Sequence, residues 1–364
     1  MTRPTDPIRA LLASPPHLPV VEVLSELRER LSLGLTGSDG VGACLVLTAP
    51  PGTGKTTLVP PLLADVLAGA LTSAPGAGAS DGDTPGRRPG RVVVTQPRRI
   101  AARAAARRLA GLLGEEVGGT VGYAVRGERR TGPGTRIEIV TAGLLLRRLQ
   151  RDPELSGVDA VILDEVHERS LESDLLLAFL TDARAALRED LTLVAMSATL
   201  DADRLRDILG GTLEDSGGTS DAGRAPLVKV PGRLHPLEEV WAPPGRTGRL
   251  GPRGVPREFL AHVAATVEQA LAEQDGDVLV FLPGAREVDD VVARLRAGAP
   301  GNVDVLPLHG RLPASAQDTA LTPSPAGRRR VVVSTNVAES SLTVPGVRVV
   351  VDSTLAREPR LDVA

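Results

Sequence analysis

The stretch Ala49-Pro-Pro-Gly-Thr-Gly-Lys-Thr56 constrains what this chain can fold into more than any other. It lies between the apolar run 43–48 and a run that opens Thr57-Leu-Val, the pattern of a buried strand, a glycine loop and the first turn of a helix. That arrangement turns backbone N–H groups and a helix N-terminus toward a phosphate. Gly52 and Gly54 let the backbone wrap closely because they lack a Cβ. Lys55 can reach the β and γ phosphates, and the Thr56 hydroxyl is placed to hold Mg²⁺. Gly52, Thr53, Gly54, Lys55, Thr56 and Thr57 are therefore the candidate nucleotide contacts, with ATP and Mg²⁺ as the expected cofactors. Ala49 stands where the usual pattern has Gly, but Pro50, Pro51 and Gly52 still enforce a turn. The chain has only two lysines, Lys55 and Lys229, and arginine supplies nearly all other basic charge. One of the two thus occupies the position where a compact, mobile ammonium suits phosphates.

A chain of 364 residues with 42% apolar and 24% charged residues is long enough for two globular domains. Aromatic residues are 1% of it, so the cores are expected to be Val, Leu, Ile and Ala, which suits parallel strands covered by helices. Base-stacking platforms are disfavoured on the same ground. One cysteine, Cys44, excludes an internal disulfide and a cysteine zinc site. No apolar run reaches the length of a membrane span, and prolines break the first 19 residues. The expectation is a cytoplasmic protein with no membrane contact.

Helical spacing of Val20, Val21, Val23, Leu24, Leu27 and Leu31 predicts a helix over 20–33. After the phosphate loop a helix is expected to about Leu67, then a mobile insertion over 69–90, rich in Gly, Ala, Ser and Pro. Strands are expected at 91–95 and 137–140. The first is followed by Gln96-Pro-Arg-Arg99 and a helix, the second by Thr141-Ala-Gly143 and a helix. Both strand ends fall at the C-terminal edge of a parallel sheet, where ligands bind in open α/β folds.

The apolar run 158–163 ends in Asp164-Glu-Val-His-Glu-Arg-Ser170, with Asp164 lying 109 residues beyond Lys55. A Mg-nucleotide site needs one carboxylate to hold the metal and one to orient and deprotonate water, and Asp164 and Glu165 are the candidates in that order. His167, beside them, is a candidate coupling residue. A helix over 171–188, capped by Ser170, leads to a strand over 191–196 that ends in Ser197-Ala-Thr199. Further low-complexity tracts cover 210–226 and 243–256, and the domain boundary is expected near Pro231-Gly-Arg233, giving domains of 1–232 and 233–364. The second half alternates helix and strand again: helices over 258–273 and 285–295, strands over 278–282, 303–308, 330–334 and 347–351. It is a second α/β layer structure without a phosphate loop.

In order, Ala49 to Thr56, Thr95-Gln-Pro-Arg-Arg99, Thr141-Ala-Gly143, Asp164-Glu-Val-His167, Ser197-Ala-Thr199, Val280-Phe-Leu-Pro-Gly284 and Ser334-Thr-Asn-Val-Ala-Glu-Ser-Ser-Leu-Thr343 resemble the motif series of DEAH-type superfamily 2 RNA helicases. Arg103-Ala-Ala-Ala-Arg-Arg-Leu, Tyr123-Ala-Val-Arg-Gly-Glu and Val351-Asp-Ser-Thr-Leu-Ala-Arg look most like a bacterial member of that family. Two positions depart from it: Val166 stands where Ala or Phe is usual, and Ala142 where Glu is common. The resemblance implies two RecA-like domains with parallel sheets, the second incomplete, ATP at their interface and single-stranded RNA running across both. It implies Lys55, Glu165 and His167 as catalytic residues, and Thr56 and Asp164 at the metal. Ser197 and Thr199 would couple the domains, and Arg98, Arg99, Thr141, Thr335 and Asn336 would lie at the RNA.

Net charge is −3, but residues 87–151 hold fifteen arginines against four glutamates and no aspartate. That block is either a footprint for a polyanion or a set of solvated helix faces. The leading expectation is a monomeric ATP-driven helicase or translocase on RNA, with DNA left open. A small-molecule kinase would leave the second domain and the arginine block idle. The third reading is a nucleotide-dependent RNA-binding fragment. The family's Gln-Arg-x-Gly-Arg-x-Gly-Arg motif, whose arginines reach the ATP phosphates, does not occur in these 364 residues, so slow hydrolysis and no unwinding are expected of the chain as given.

Overall fold

Runs of Val, Leu and Ile without polar alternation form strands covered on both faces, because each face needs an apolar layer against it. The structure is a computed structural model. It describes residues 6–35, 42–73, 90–198, 202–210, 223–232, 236–245, 248–252, 254–339 and 344–357. The chain divides into two compact units, Met1–Leu234 and His235–Ala364.

In the first unit the elements run α1 (Pro7–Ala13), a 3-10 turn (Pro19–Val23), α2 (Leu24–Leu35), β1 (Cys44–Thr48), α3 (Lys55–Ser73), β2 (Val92–Gln96), α4 (Arg99–Leu112), β3 (Val121–Val125), β4 (Glu128–Arg130), β5 (Ile137–Thr141), α5 (Ala142–Arg151), β6 (Ala160–Leu163), α6 (Leu171–Ala186), β7 (Thr192–Ser197), α7 (Asp203–Gly210) and β8 (Leu227–Lys229). Among the described residues eight strands make one sheet in the order β4-β3-β5-β2-β6-β7-β1-β8, parallel throughout except for β4 against β3. The period of two sorts the strand residues: Leu45, Leu47, Val92 and Val94 enter the core under α1 to α4, while Val46 and Val93 enter the one under α5 to α7.

Four local readings change. The helix expected to end near Leu67 runs to Ser73, into the insertion expected over 69–90, whose residues 74–89 lie outside the described ones. The predicted helix 20–33 opens as the 3-10 turn, since Pro19 sits in its first position and Leu18 before it is extended. The proline-broken N-terminal region holds α1, capped by the Asp6 side chain on the Ile8 N–H at 3.0 Å. Residues around Tyr123, noted only for their family likeness, form β3 and β4 at the sheet edge. Pro60 and Pro61 lie inside α3, where each removes the N–H that would bond the carbonyl four residues back, those of Thr56 and Thr57.

The second unit contains α8 (Arg257–Glu273), β9 (Asp277–Phe281), α9 (Ala285–Gly298), β10 (Val303–Leu308), α10 (Ala314–Leu321), β11 (Arg329–Ser334) and β12 (Val347–Asp352). Its described strands form a parallel sheet in the order β10-β11-β9-β12. Helices α8 and α9 cover one face through Phe259, Val263, Val288 and Val292. Arg330, 1% exposed, ties this unit together: its N–H and Nε meet the two Asp277 carboxylate oxygens at 2.8 Å each, and its remaining donors reach the carbonyls of Ala320, Thr322 and Pro345.

Candidate nucleotide site

The phosphate loop is shaped by two glycines in the left-handed region, Gly52 at φ 78° and Gly54 at φ 89°. Gly54 is also sterically obligatory, because a Cβ there would lie 2.6 Å from Leu18 Cδ1. The segment before the 3-10 turn therefore lies directly on the loop, and the Val20 N–H donates to the Thr53 carbonyl at 3.0 Å. Thr53, 3% exposed, closes the turn by donating its hydroxyl to the Pro50 carbonyl at 2.8 Å. Lys55 is the first residue of α3, so Lys55, Thr56 and Thr57 occupy its first turn, whose N–H groups have no partner within the helix.

Strand order brings the acidic end of β6 to this loop. Only β7 separates β1 from β6, and long side chains span it. Lys55 Nζ donates to Glu165 Oε2 at 3.0 Å, and the Thr56 hydroxyl donates to Asp164 Oδ2 at 2.6 Å. The end of β7 lies between the two: the Ala49 N–H donates to the Ser197 carbonyl at 2.9 Å, and the Ala198 N–H donates to His167 Nδ1 at 3.2 Å. Ser197 is fully buried, and Thr199 lies outside the described residues.

Two backbone devices aim the carboxylates. Glu165 adopts φ 54°, ψ 39°, a left-handed conformation that costs a non-glycine residue about 1 kcal/mol. Its N–H is held by Asp164 Oδ1 at 2.9 Å, which fixes the reversal between the two acidic side chains. Asp164 in turn receives the Gln96 amide at 2.7 Å, and its own N–H donates to the Thr95 hydroxyl at 3.2 Å. Gln96, 2% exposed, has a role that sequence reasoning missed. Its only signal is position, the last residue of β2, which pairs with β6.

Burial, then the neighbouring Glu165 charge, pushes the Asp164 carboxyl up to about 6, against the opposing pull of Lys55, Thr56 and Gln96. Burial, then the Lys55 charge, holds the His167 imidazole below its ordinary value. A neutral ring fits the geometry: Nδ1 accepts from Ala198, so it has no proton to offer Glu165 Oε2 at 3.4 Å. That contact is not an ion pair. The hydroxyl and carboxylate oxygens of Thr56 and Asp164 are the hard donors that Mg²⁺ prefers, and they already touch.

The proposed RNA residues of the first unit sit along the same edge. Arg98 precedes α4 and is half-buried, Arg99 is its exposed first residue, and Thr141 ends β5 and precedes α5. In the second unit half-buried Thr335 and exposed Asn336 follow β11. The arginine block as a whole is not one open surface. Arg136 is buried on Asp6 and the Ala64 carbonyl, Arg103 pairs with Glu128, and Arg91 and Arg148 both bind Glu138.

Residues 35–208 match the DEAD/DEAH box helicase family and residues 261–363 match the helicase conserved C-terminal domain. The chain belongs to the DEAD/DEAH-box helicase family. It is 41% identical to the ATP-dependent RNA helicase HrpB of Escherichia coli over 95% of its own length and 37% of that protein's. It is 34% identical to an ATP-dependent RNA helicase HrpA homolog of Haemophilus influenzae, over 87% of this chain and 21% of that one. The crystal structure of the E. coli DEAH/RHA helicase HrpB matches with a TM-score of 0.69 at 40% identity, covering 92% of this chain and 36% of that one. This helicase-family chain thus carries two RecA-like domains and spans well under half the length of these relatives.

Proposed function

We propose that this chain is the motor core of an ATP-dependent RNA helicase or translocase of the DEAH type, acting as a cytoplasmic monomer on single-stranded or duplex RNA. In this reading the domains are 1–232 and 233–364. The observation that carries the reading is the Lys55–Glu165 contact beside the Thr56–Asp164 contact. Lys55 leaves Glu165 for the β and γ phosphates, and the freed carboxylate orients the attacking water and accepts its proton as the oxygen bonds to the γ phosphorus. The bond from that phosphorus to the β–γ bridging oxygen breaks, and ADP leaves with phosphate as the other product. Mg²⁺, held through Thr56 and Asp164, would neutralise charge on the phosphates. Ser197, His167 and Thr199 relay this change toward the nucleic acid, since His167 holds the backbone just after β7.

RNA is read through its backbone by Arg98, Arg99, Thr141, Thr335 and Asn336, which gives little sequence preference. ATP turnover measured with and without single-stranded RNA and DNA tests the proposal. Turnover that stays slow, because the Gln-Arg-x-Gly-Arg-x-Gly-Arg motif is absent from these 364 residues, but rises with RNA is expected. ATP binding with no response to RNA would favour the reading of an RNA-binding fragment without efficient hydrolysis, and transfer of phosphate to a small molecule would overturn both.

A further inference from the structure

Five arginines line one cavity of about 770 Å³ in the first unit: Arg91 just before β2, Arg129 on β4, and Arg147, Arg148 and Arg151 on α5. Its buried acidic group is Glu138, the second residue of β5, which meets Arg91 at 3.0 Å, Arg148 at 3.3 Å and Arg129 at 3.8 Å. The other two carboxylates of the lining are engaged elsewhere. Glu128 accepts from Tyr123 and Arg103, and Asp152 caps Ser156. Arg103 neutralises Glu128, so five guanidinium groups face Glu138 and Asp152 and leave an excess of three positive charges. Arg91 Nε is buried with no hydrogen-bond partner among the described residues. Arg147 and Arg151 are exposed, and a spacing of four puts them on one face of α5. Between these charges Val140 and Leu144 supply apolar lining.

A phosphate ester carries about −1.5 to −2 charges at neutral pH, so two phosphate groups balance the excess. The volume of about 770 Å³ is that of a small-molecule site, which spans roughly 300–1,000 Å³. β5 stands four strands from β1 in the sheet order, about 19 Å at the usual strand spacing, so this recess is not part of the phosphate-loop site. We propose that the cavity is a second anion site that takes a small ligand with two phosphate groups, such as a nucleoside diphosphate or a bisphosphate ester.

The test is calorimetric titration with inorganic pyrophosphate and with ADP. In a Lys55→Ala chain, which lacks the phosphate-loop lysine, one site for each probe is expected to remain. Adding Arg147→Ala and Arg151→Ala should weaken it by at least about tenfold, since two charge-assisted contacts are lost. Glu138→Gln should tighten it by removing the competing anion, a gain that a merely structural role would not produce. No binding to the Lys55→Ala chain, or binding indifferent to the arginine changes, would overturn the proposal. So would arginine changes that weaken only the affinity for single-stranded RNA. Should Glu138→Gln fail to fold, the exposed Arg147 and Arg151 still decide the outcome.

Discussion

Glu165 holds its side chain on Lys55 from a backbone conformation that few non-glycine residues adopt, which is how two consecutive acidic residues reach different partners, Glu165 at Lys55 and Asp164 at Thr56. Glu165→Gln keeps the shape and removes the proposed base. Nucleotide affinity is expected to be retained while turnover falls by about 10² to 10⁴, checked by nucleotide titration beside a steady-state ATPase assay. Asp164 yields a pH prediction of opposite sign for folding and for metal binding. Its carboxyl is raised from 3.8 to about 6 in the folded metal-free chain, so the proton it binds favours the folded state below 3.8, and that contribution is lost as pH rises through about 6. Mg²⁺ needs the deprotonated group. Mg²⁺-dependent ATP affinity should therefore be constant above about 6 and weaken by about tenfold per pH unit below it. Affinity measured on either side of that value checks the sign. These residues were legible from order and spacing alone, but Gln96 was not, because nothing in a linear string says that the end of β2 faces Asp164.

Among the elements, β11 depends on a buried charge. Asp277 at the start of β9 neutralises Arg330, and Asp277→Ala leaves a guanidinium with 1% exposure facing only carbonyls. A loss of about 3–5 kcal/mol is expected, read as an earlier urea transition of the second unit, while the first unit keeps its own. The same scale explains which elements the sequence disclosed. Strands β1, β2, β6, β7, β9 and β11 are apolar runs buried on both faces, and their composition is enough to mark them. β3 and β4 are not: Gly122 and the charged Glu128 to Arg130 lack that signature, and the pair exists because β5 offers an edge to bind. Likewise the 3-10 turn Pro19–Val23 takes its place from the phosphate loop, through the Val20 contact to Thr53 and the fit of Leu18 over Gly54.

Over the whole molecule, the arginine excess of residues 87–151 has to be discounted by its internal partners before it can be counted toward RNA. With Arg98 and Arg99 as backbone contacts, replacing both by alanine should weaken binding to all sequences alike. It should also reduce the slope of log affinity against log salt by about 1.4, two contacts at about 0.7 each for a single strand. Fluorescence anisotropy across a salt series measures both, and an unchanged slope would remove these two residues from the interface. The sequence by itself determined the phosphate loop, that two α/β layers follow one another, and which residue types sit at the strand ends. Those features depend on local chemistry: glycine torsions, apolar periodicity and the reach of a lysine. Only the tertiary structure decided that β7 lies between the phosphate loop and the acidic pair, so that Ser197 and His167 touch both sides of the site. Only it decided that Glu138 gathers Arg91, Arg129 and Arg148 around one recess while Arg136 is spent in the core. The physical reason is that charge pairing and strand order join residues dozens of positions apart, and their energies depend on burial, which no local pattern carries.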